Sequence, residues 1–514
     1  METTTDIDER ASLERGMVWT AIAVVAGTFA VQMDATMINV ALDSLRQAFD
    51  VSIGSIQLLS TAYLMAMAVA IPTVGWGVDR FGSRRLWLGA LVVFGAASAV
   101  SGLAGSIGFL IACRVVQGLA GGILLPLSQA ILAQAAGPER LGRLMAIVGV
   151  PSLLGPILGP VIGGVLVRDV GWAWIFYLNV PICLAAVALS LRTMPPTAPV
   201  RAGSRARFDL LGFVLLGPGL AAALYALATA GAAGSFTEAG VLVPFLAGVL
   251  LLTGFVIHAL TTRHEALIDL RLFASRTFTA SAGMLFFIIM GLLASMLLIP
   301  LYFQLARGDS ALTAGLLLAP QGLGAAIAIA ASGPLVDRSD PIPLTFAGIL
   351  SAVAGLGILS RLTDSTEGWT IAAAQFLLGV GFGIIVVVAT AVAYRGLASA
   401  AIPRATTALR IVQQIGGAIG VAAVAAVLQR GLTQPAAALM HPVEVAAAFS
   451  GALTWALVAT GLAIIPTAAL VAALRRQARP HNRHSEPCAA TPPQPQPPSR
   501  LSVTEPASRP ERGR

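Results

Sequence analysis

"GWGVDRFG" occupies residues 75–82, and "GPLVDRSD" occupies residues 333–340. Both read Gly-x-x-Val-Asp-Arg, 258 positions apart, and each closes a long apolar run. A second pair keeps nearly the same offset: "CRVVQGLAGG" at 113–122 is echoed by "AQFLLGVGFG" at 374–383, 261 positions on. The apolar runs that begin at residues 18 and 278 stand 260 apart. Three matching offsets predict a duplicated unit of six apolar runs. Membrane proteins built from such repeats commonly hold a substrate site near the midplane between the copies.

Composition sets the class. Of 514 residues, 57% are hydrophobic and 11% charged, where a soluble domain has roughly 25% charged. The runs are continuous and about 20 residues long, which fits membrane helices and not the short alternating strands of a barrel. Spans are read near 18–42, 55–77, 86–105, 107–131, 143–167, 173–192, 209–231, 240–260, 278–303, 312–336, 342–361, 369–393, 405–428 and 446–474. The expected fold is an all-α membrane protein with 14 transmembrane helices: two six-helix units, 18–192 and 278–474, and two inserted helices within 193–277. Residues 1–17 are polar and acidic and do not follow the basic-then-apolar order of a secretory leader. Residues 475–514, with nine prolines from Pro480 onward, read as a disordered tail.

Arginine placement sets the orientation. The 32 basic residues are all arginine. With the N-terminus inside, 25 fall in inner segments and five in outer ones: Arg46, Arg168, Arg307, Arg361 and Arg430. The positive-inside rule therefore puts both termini in the cytoplasm, and the expected location is the inner membrane. Without lysine there is no phosphate-loop Gly-Lys-Ser/Thr. The three cysteines have no CxxC spacing and the five histidines no metal-ligand pattern. No cofactor, metal, enzymatic activity or nucleic-acid partner is expected.

Two charges stand deep inside spans. "FAVQMDATMINVAL" at 29–42 carries Asp34, about eight residues, or roughly 12 Å, from the outer end of its span. Arg114, in "LIACRVVQGLAGGILLP" at 110–126, lies at a comparable depth, about seven residues or roughly 10 Å, with Gln117 one turn on. A charge at mid-bilayer costs about 2.5–3.5 kcal/mol, so each should face protein or water. Matching depth predicts a shared wet cavity. Burial favours the neutral acid and a nearby arginine favours the carboxylate, an opposition that suits proton binding and release. A static ion pair is the bland alternative. Gln32, Thr36 and Asn39 form a separate stripe, at least 140° from Asp34 at about 100° per residue. The cavity is assigned to Asp34 and the stripe to neighbouring helices; the reverse stays open. Arg410, with Gln413 and Gln414, lies near the cytoplasmic end of the thirteenth span, where snorkelling and a cavity role are equally consistent.

"GPILGPVIGG" at 155–164 repeats glycine every four residues, at Gly155, Gly159 and Gly163, which makes a smooth face for a close helix crossing. Pro160 bends that helix. Plain packing without a role in motion is the alternative.

These segments resemble motifs of the major facilitator superfamily. "GWGVDRFGSRR" is similar to its loop 2–3 motif, with Gly77 where leucine is usual and Ser83 where a basic residue is. "RVVQG" resembles the fourth-helix motif and "GPILGPVIGG" the fifth-helix antiporter motif. "MDATMINVALDSL" resembles the first helix of the fourteen-helix drug:proton antiporters, with Asp43 for proline. "GWAWIFYLNVPI" at 171–182 resembles another segment of that subfamily, with Ala173 for arginine.

The resemblance implies a proton-coupled exporter of small amphipathic organic compounds, working by alternating access, with the bilayer and protons as its other partners and a monomer expected. Asp34, Arg114 and Gln117 take the proton and substrate cavity. Gly75, Asp79, Arg80, Gly82, Arg84, Asp337 and Arg338 take the inner-side gating contacts. Gly155, Gly159, Pro160, Gly163 and Gly164 take the antiporter helix. A proton-coupled importer of the same fold and a non-transporting receptor are the alternatives. The antiporter-like glycine face opposes the first, and the deep charges oppose the second.

Overall fold

The computed structural model describes residues 4–136, 155, 158–159, 161–195, 208–233, 238–262, 266–307, 318–338, 340–363, 366–395, 397–398, 401–432 and 442–478. In the first half, α1 runs Thr4–Phe49, α2 Ile53–Ala70, α3 Val74–Phe81, α4 Ser83–Ser101 and α5 Ile107–Ala136. Helical residues 161–169 form α6, followed by α7 at Trp174–Tyr177 and α8 at Asn179–Thr193. The insert is α9, Leu210–Ala233, and α10, Ala239–Thr261. The second half holds α11 at Arg276–Ala306, α12 at Ala319–Arg338, α13 at Pro341–Leu359 and α14 at Gly368–Tyr394. It ends with α15 at Ile402–Leu432, α16 at Pro442–Gly461 and α17 at Ile464–Ala478.

Thirteen helical stretches among the described residues are long and apolar enough to cross a membrane. Some are jointed: α2 and α3 share one span through a 3-10 turn at Ile71–Thr73, α7 and α8 share one across Leu178, and α16 and α17 share one across residues 462–463. The remaining expected span, 143–167, lies mostly outside the described residues, and the tail from 479 lies wholly outside them. The 14-helix reading fits this architecture.

Local chemistry ends the helices. Ser52, Ser275 and Asp340 each accept a backbone N–H in the first turn of the helix that follows, which satisfies donors a helix start leaves open. Gly82 holds φ +78° between α3 and α4, a left-handed conformation that side chains with a Cβ resist.

Helices in lipid gain little from burying apolar side chains against one another, since lipid tails are equally apolar; close packing of small residues does the work. A Cβ at Gly118 or Gly122 of α5 would strike the carbonyl oxygens of Tyr63 and Met67 on α2. In the second half, a Cβ at Gly379 or Gly383 of α14 would strike those of Gln321 and Ala325 on α12. The two glycine pairs occupy the repeat positions seen in sequence, so both copies draw their helices together by the same device. Two apolar clusters lie within the first half, and a larger one fills the second half and extends to Leu216, Leu220 and Phe255 of the insert and to Ile71 and Ala133 of the first half. The insert helices pack on each other, and α9 also lies against α2 of the first half and α15 of the second.

Candidate functional site

Asp34 of α1 is buried, 3% exposed, and Arg114 of α5 is fully buried. Arg114 Nη1 donates to Asp34 Oδ2 at 2.6 Å and to Gln117 Oε1 at 3.2 Å. Ser101 Oγ of α4 stands 3.4 Å from Gln117 Oε1 and donates to the Ala97 carbonyl at 2.8 Å. The other carboxylate oxygen, Oδ1, accepts from Asn179 Nδ2 of α8 at 2.7 Å. The same nitrogen donates to Ser98 Oγ at 3.0 Å, and Ser98 donates to the Phe176 carbonyl at 2.9 Å. Below the guanidinium lies the Tyr63 ring of α2, its centroid 4.0 Å from Arg114 Cζ. Side chains from five helices of the first half thus join one cluster around this carboxylate.

This arrangement answers the cost of charge in lipid. The pair compensates itself, the ring face adds cation–π attraction, and both carboxylate oxygens meet donors. Removing one member would strand a buried charge, at about 3–5 kcal/mol. Arg114 keeps Nε and Nη2, and Gln117 keeps Nε2, without a protein partner among the described residues. The site therefore combines a titratable acceptor with spare donors.

The polar stripe on α1 turns elsewhere. Gly155 lies where a Cβ would be 2.8 Å from Gln32 Cβ, a Cβ at Gly159 would meet Thr36 Oγ1, and one at Gly163 would be 3.3 Å from Met37 Cα. The glycine face of the fifth span packs directly on the Gln32–Thr36 side of α1. A Cβ at Gly164 would be 3.8 Å from Val40. Pro160 lies outside the described residues. Asn39 is exposed and accepts from Ser60 Oγ at 3.3 Å.

A second ion pair joins the halves at their arginine-rich end. Arg404 Nη2 of α15 donates to Asp79 Oδ2 of α3 at 2.6 Å. Asp79 is 9% exposed and Arg404 19%. Gly75 makes the space: a Cβ there would stand 2.9 Å from Arg404 Cγ. Arg84 Nη2 ties the start of α4 to the Leu191 carbonyl at 2.7 Å, within the first half. Arg80 and Arg338 are exposed. Asp337 sits on α12 with its side chain outside the described residues. In the second half Gln375 replaces Arg114; it is fully buried, and neither of its amide atoms has a partner among the described residues. Arg410 donates to Gln413 Oε1 at 3.4 Å and has no carboxylate partner there.

The sequence reading singled out Asp34, Arg114 and Gln117, and the fold brings all three together. It did not single out Asn179, Tyr63 or Arg404 as site residues. Asn179 carried a signal, an amide within the apolar "FYLNVPI". Arg404 read only as one more inner arginine. Among the described residues no group of three His, Cys, Asp or Glu could hold a metal.

Two helical halves, a buried carboxylate–arginine site in one and a charge contact between them at one end define a membrane transporter of the repeat type. The model of the Major Facilitator Superfamily matches residues 24–421. The chain is 37% identical over 425 residues to the "Multidrug resistance protein B homolog" of Mycobacterium tuberculosis, covering 81% of this chain and 77% of that one. It is 28% identical over 396 residues to the "Lincomycin resistance protein LmrB" of Listeria monocytogenes, covering 77% and 83%. In fold it resembles the proton:xylose symporter XylE, with TM-score 0.58, 14% identity and coverage of 87% and 95%. The chain belongs to the Major Facilitator Superfamily.

Proposed function

We propose that this protein is a proton-coupled exporter of small amphipathic organic compounds, working as a monomer in the inner membrane with both termini cytoplasmic. The carrying observation is the buried Asp34–Arg114 pair: a titratable carboxylate, held in mid-span, beside spare donors. The names of the relatives, multidrug and lincomycin resistance proteins, support the export of organic compounds.

The geometry supports a cycle. The Asp79–Arg404 pair draws the halves together at the cytoplasmic end, which is the arrangement of an inward-closed conformer. A proton arriving from outside binds the Asp34 carboxylate and cancels its charge, so Arg114 loses its counter-charge and loosens its hold. When the halves rock and the cytoplasmic pair opens, an organic substrate enters the cavity. Asp34 then returns its proton to the cytoplasm and re-forms the pair with Arg114. Return to the first state carries substrate outward, so proton entry drives export. The glycine face at Gly155, Gly159 and Gly163 gives α1 a close, smooth surface to move against.

Cells loaded with ethidium test this reading. Expression of the protein should speed ethidium efflux, and a protonophore should abolish the gain. Efflux that survives the protonophore, or uptake in its place, would overturn it.

A further inference from the structure

Resting on that reading of Asp34 as the proton site, we propose that Asn179 is a positioning residue that ties α8 to Asp34 only while Asp34 is ionised. Asn179 is fully buried and is the first residue of α8, just after the one-residue joint at Leu178 that separates it from α7. Its Nδ2 gives one hydrogen to Asp34 Oδ1 and the other to Ser98 Oγ. The Ser98 hydroxyl has one proton, and that proton goes to the Phe176 carbonyl. Ser98 can therefore only accept from Asn179, which fixes the amide with its nitrogen toward Asp34. Its Oδ1 is left without a partner among the described residues.

Both oxygens of Asp34 thus face donors, Arg114 on one side and Asn179 on the other. This suits a carboxylate best, since a carboxylic acid accepts more weakly and brings an O–H that needs an acceptor. Each carboxyl oxygen keeps a second lone pair, so a proton from the outer water can bind Asp34 without displacing either donor, but it removes the charge that strengthens both contacts. Arg114 keeps all its protons under every physiological condition. Asn179 can turn its amide and offer Oδ1 to the new O–H, but only by withdrawing Nδ2 from Ser98. Protonation of α1 thereby unties the start of α8 from α4, at the joint where that span is already broken. The charged and titratable groups facing Asp34 are Arg114 of α5, Tyr63 of α2 and Cys183, one turn beyond Asn179 on α8. None of them is altered in the test below.

The test needs no substrate. In reconstituted full-length protein, infrared difference spectra against pH follow the protonated carboxyl band that Asp34→Asn removes. Asn179→Leu deletes both donors at similar volume and should move the midpoint of that band about one pH unit toward alkaline, the size of one charge-assisted hydrogen bond. Asn179→Ala and Asn179→Ser provide a second comparison of equal bulk. Serine keeps a hydroxyl and should titrate at lower pH than alanine. Superimposed titrations of the wild type and the leucine variant, or of the alanine and serine variants where the leucine variant does not insert, would overturn the role of Asn179 alone. If no band titrates in the wild type, the proton-site reading itself fails.

Discussion

Asp79 of α3 and Arg404 of α15 meet at 2.6 Å across 325 residues of sequence, and their contact joins the two halves of the molecule. Neither residue belongs to the buried site around Asp34, yet any motion that parts the halves at this end must break their pair. In the proposed cycle it is the contact that opens and closes as the halves rock.

Asp79→Asn should therefore slow ethidium efflux by about tenfold, the size of a typical coupling energy between conformers. Arg404→Gln should do the same. The exchange Asp79→Arg with Arg404→Asp should recover a substantial part of the loss. Efflux rates from cells matched for membrane expression measure it. A double variant no better than either single one would show that the charge pair is not the operative contact.

The paired glycines predict equal sensitivity in the two halves. Gly118→Leu on α5 and Gly379→Leu on α14 should each force apart helices that touch backbone to backbone, destabilising by at least about 1–3 kcal/mol. Gly89→Ala should be tolerated, since a Cβ there meets nothing within 4 Å. The yield of monodisperse protein and its melting temperature distinguish the three. A stable Gly379→Leu beside a collapsed Gly118→Leu would contradict the shared packing device.

Tyr63 is predicted to act through its ring. Tyr63→Phe keeps the ring face 4.0 Å from the Arg114 guanidinium and loses only a 3.4 Å hydrogen bond to the Val31 carbonyl. It should keep most of the efflux activity. Tyr63→Ala removes the cation–π contact, about 0.5–2 kcal/mol, and opens a void beside a buried charge. It should lose activity by at least about tenfold. Equally reduced rates for the two variants would assign the role to the hydroxyl, and wild-type rates for both would remove Tyr63 from the mechanism.

The spans were legible because a bilayer requires about 20 apolar residues for each crossing. The repeat was legible because both copies kept the same glycines and the same Val-Asp-Arg turn. Asp34 and Arg114 stood out because a charge in lipid is costly enough to need a reason. Asn179 did not stand out, because a neutral amide in an apolar run costs less and its meaning lies in what it touches 145 residues away. Arg404 was hidden for the opposite reason. The positive-inside rule already explained an arginine there, so nothing in sequence marked it as the partner of Asp79. The helical wheel separated Asp34 from the Gln32 and Thr36 stripe. Only the fold set that stripe against the glycines of the fifth span.

The central claim is that Asp34 exchanges a proton for an organic substrate. Its most direct test is proton movement in proteoliposomes that hold the purified protein and a trapped pH indicator, with ethidium added under an imposed ethidium gradient and no pH gradient. Wild-type protein should move protons against the direction of ethidium flow. Asp34→Asn should show no proton movement above that of empty liposomes. Wild-type proton movement in the Asp34→Asn protein would contradict the account.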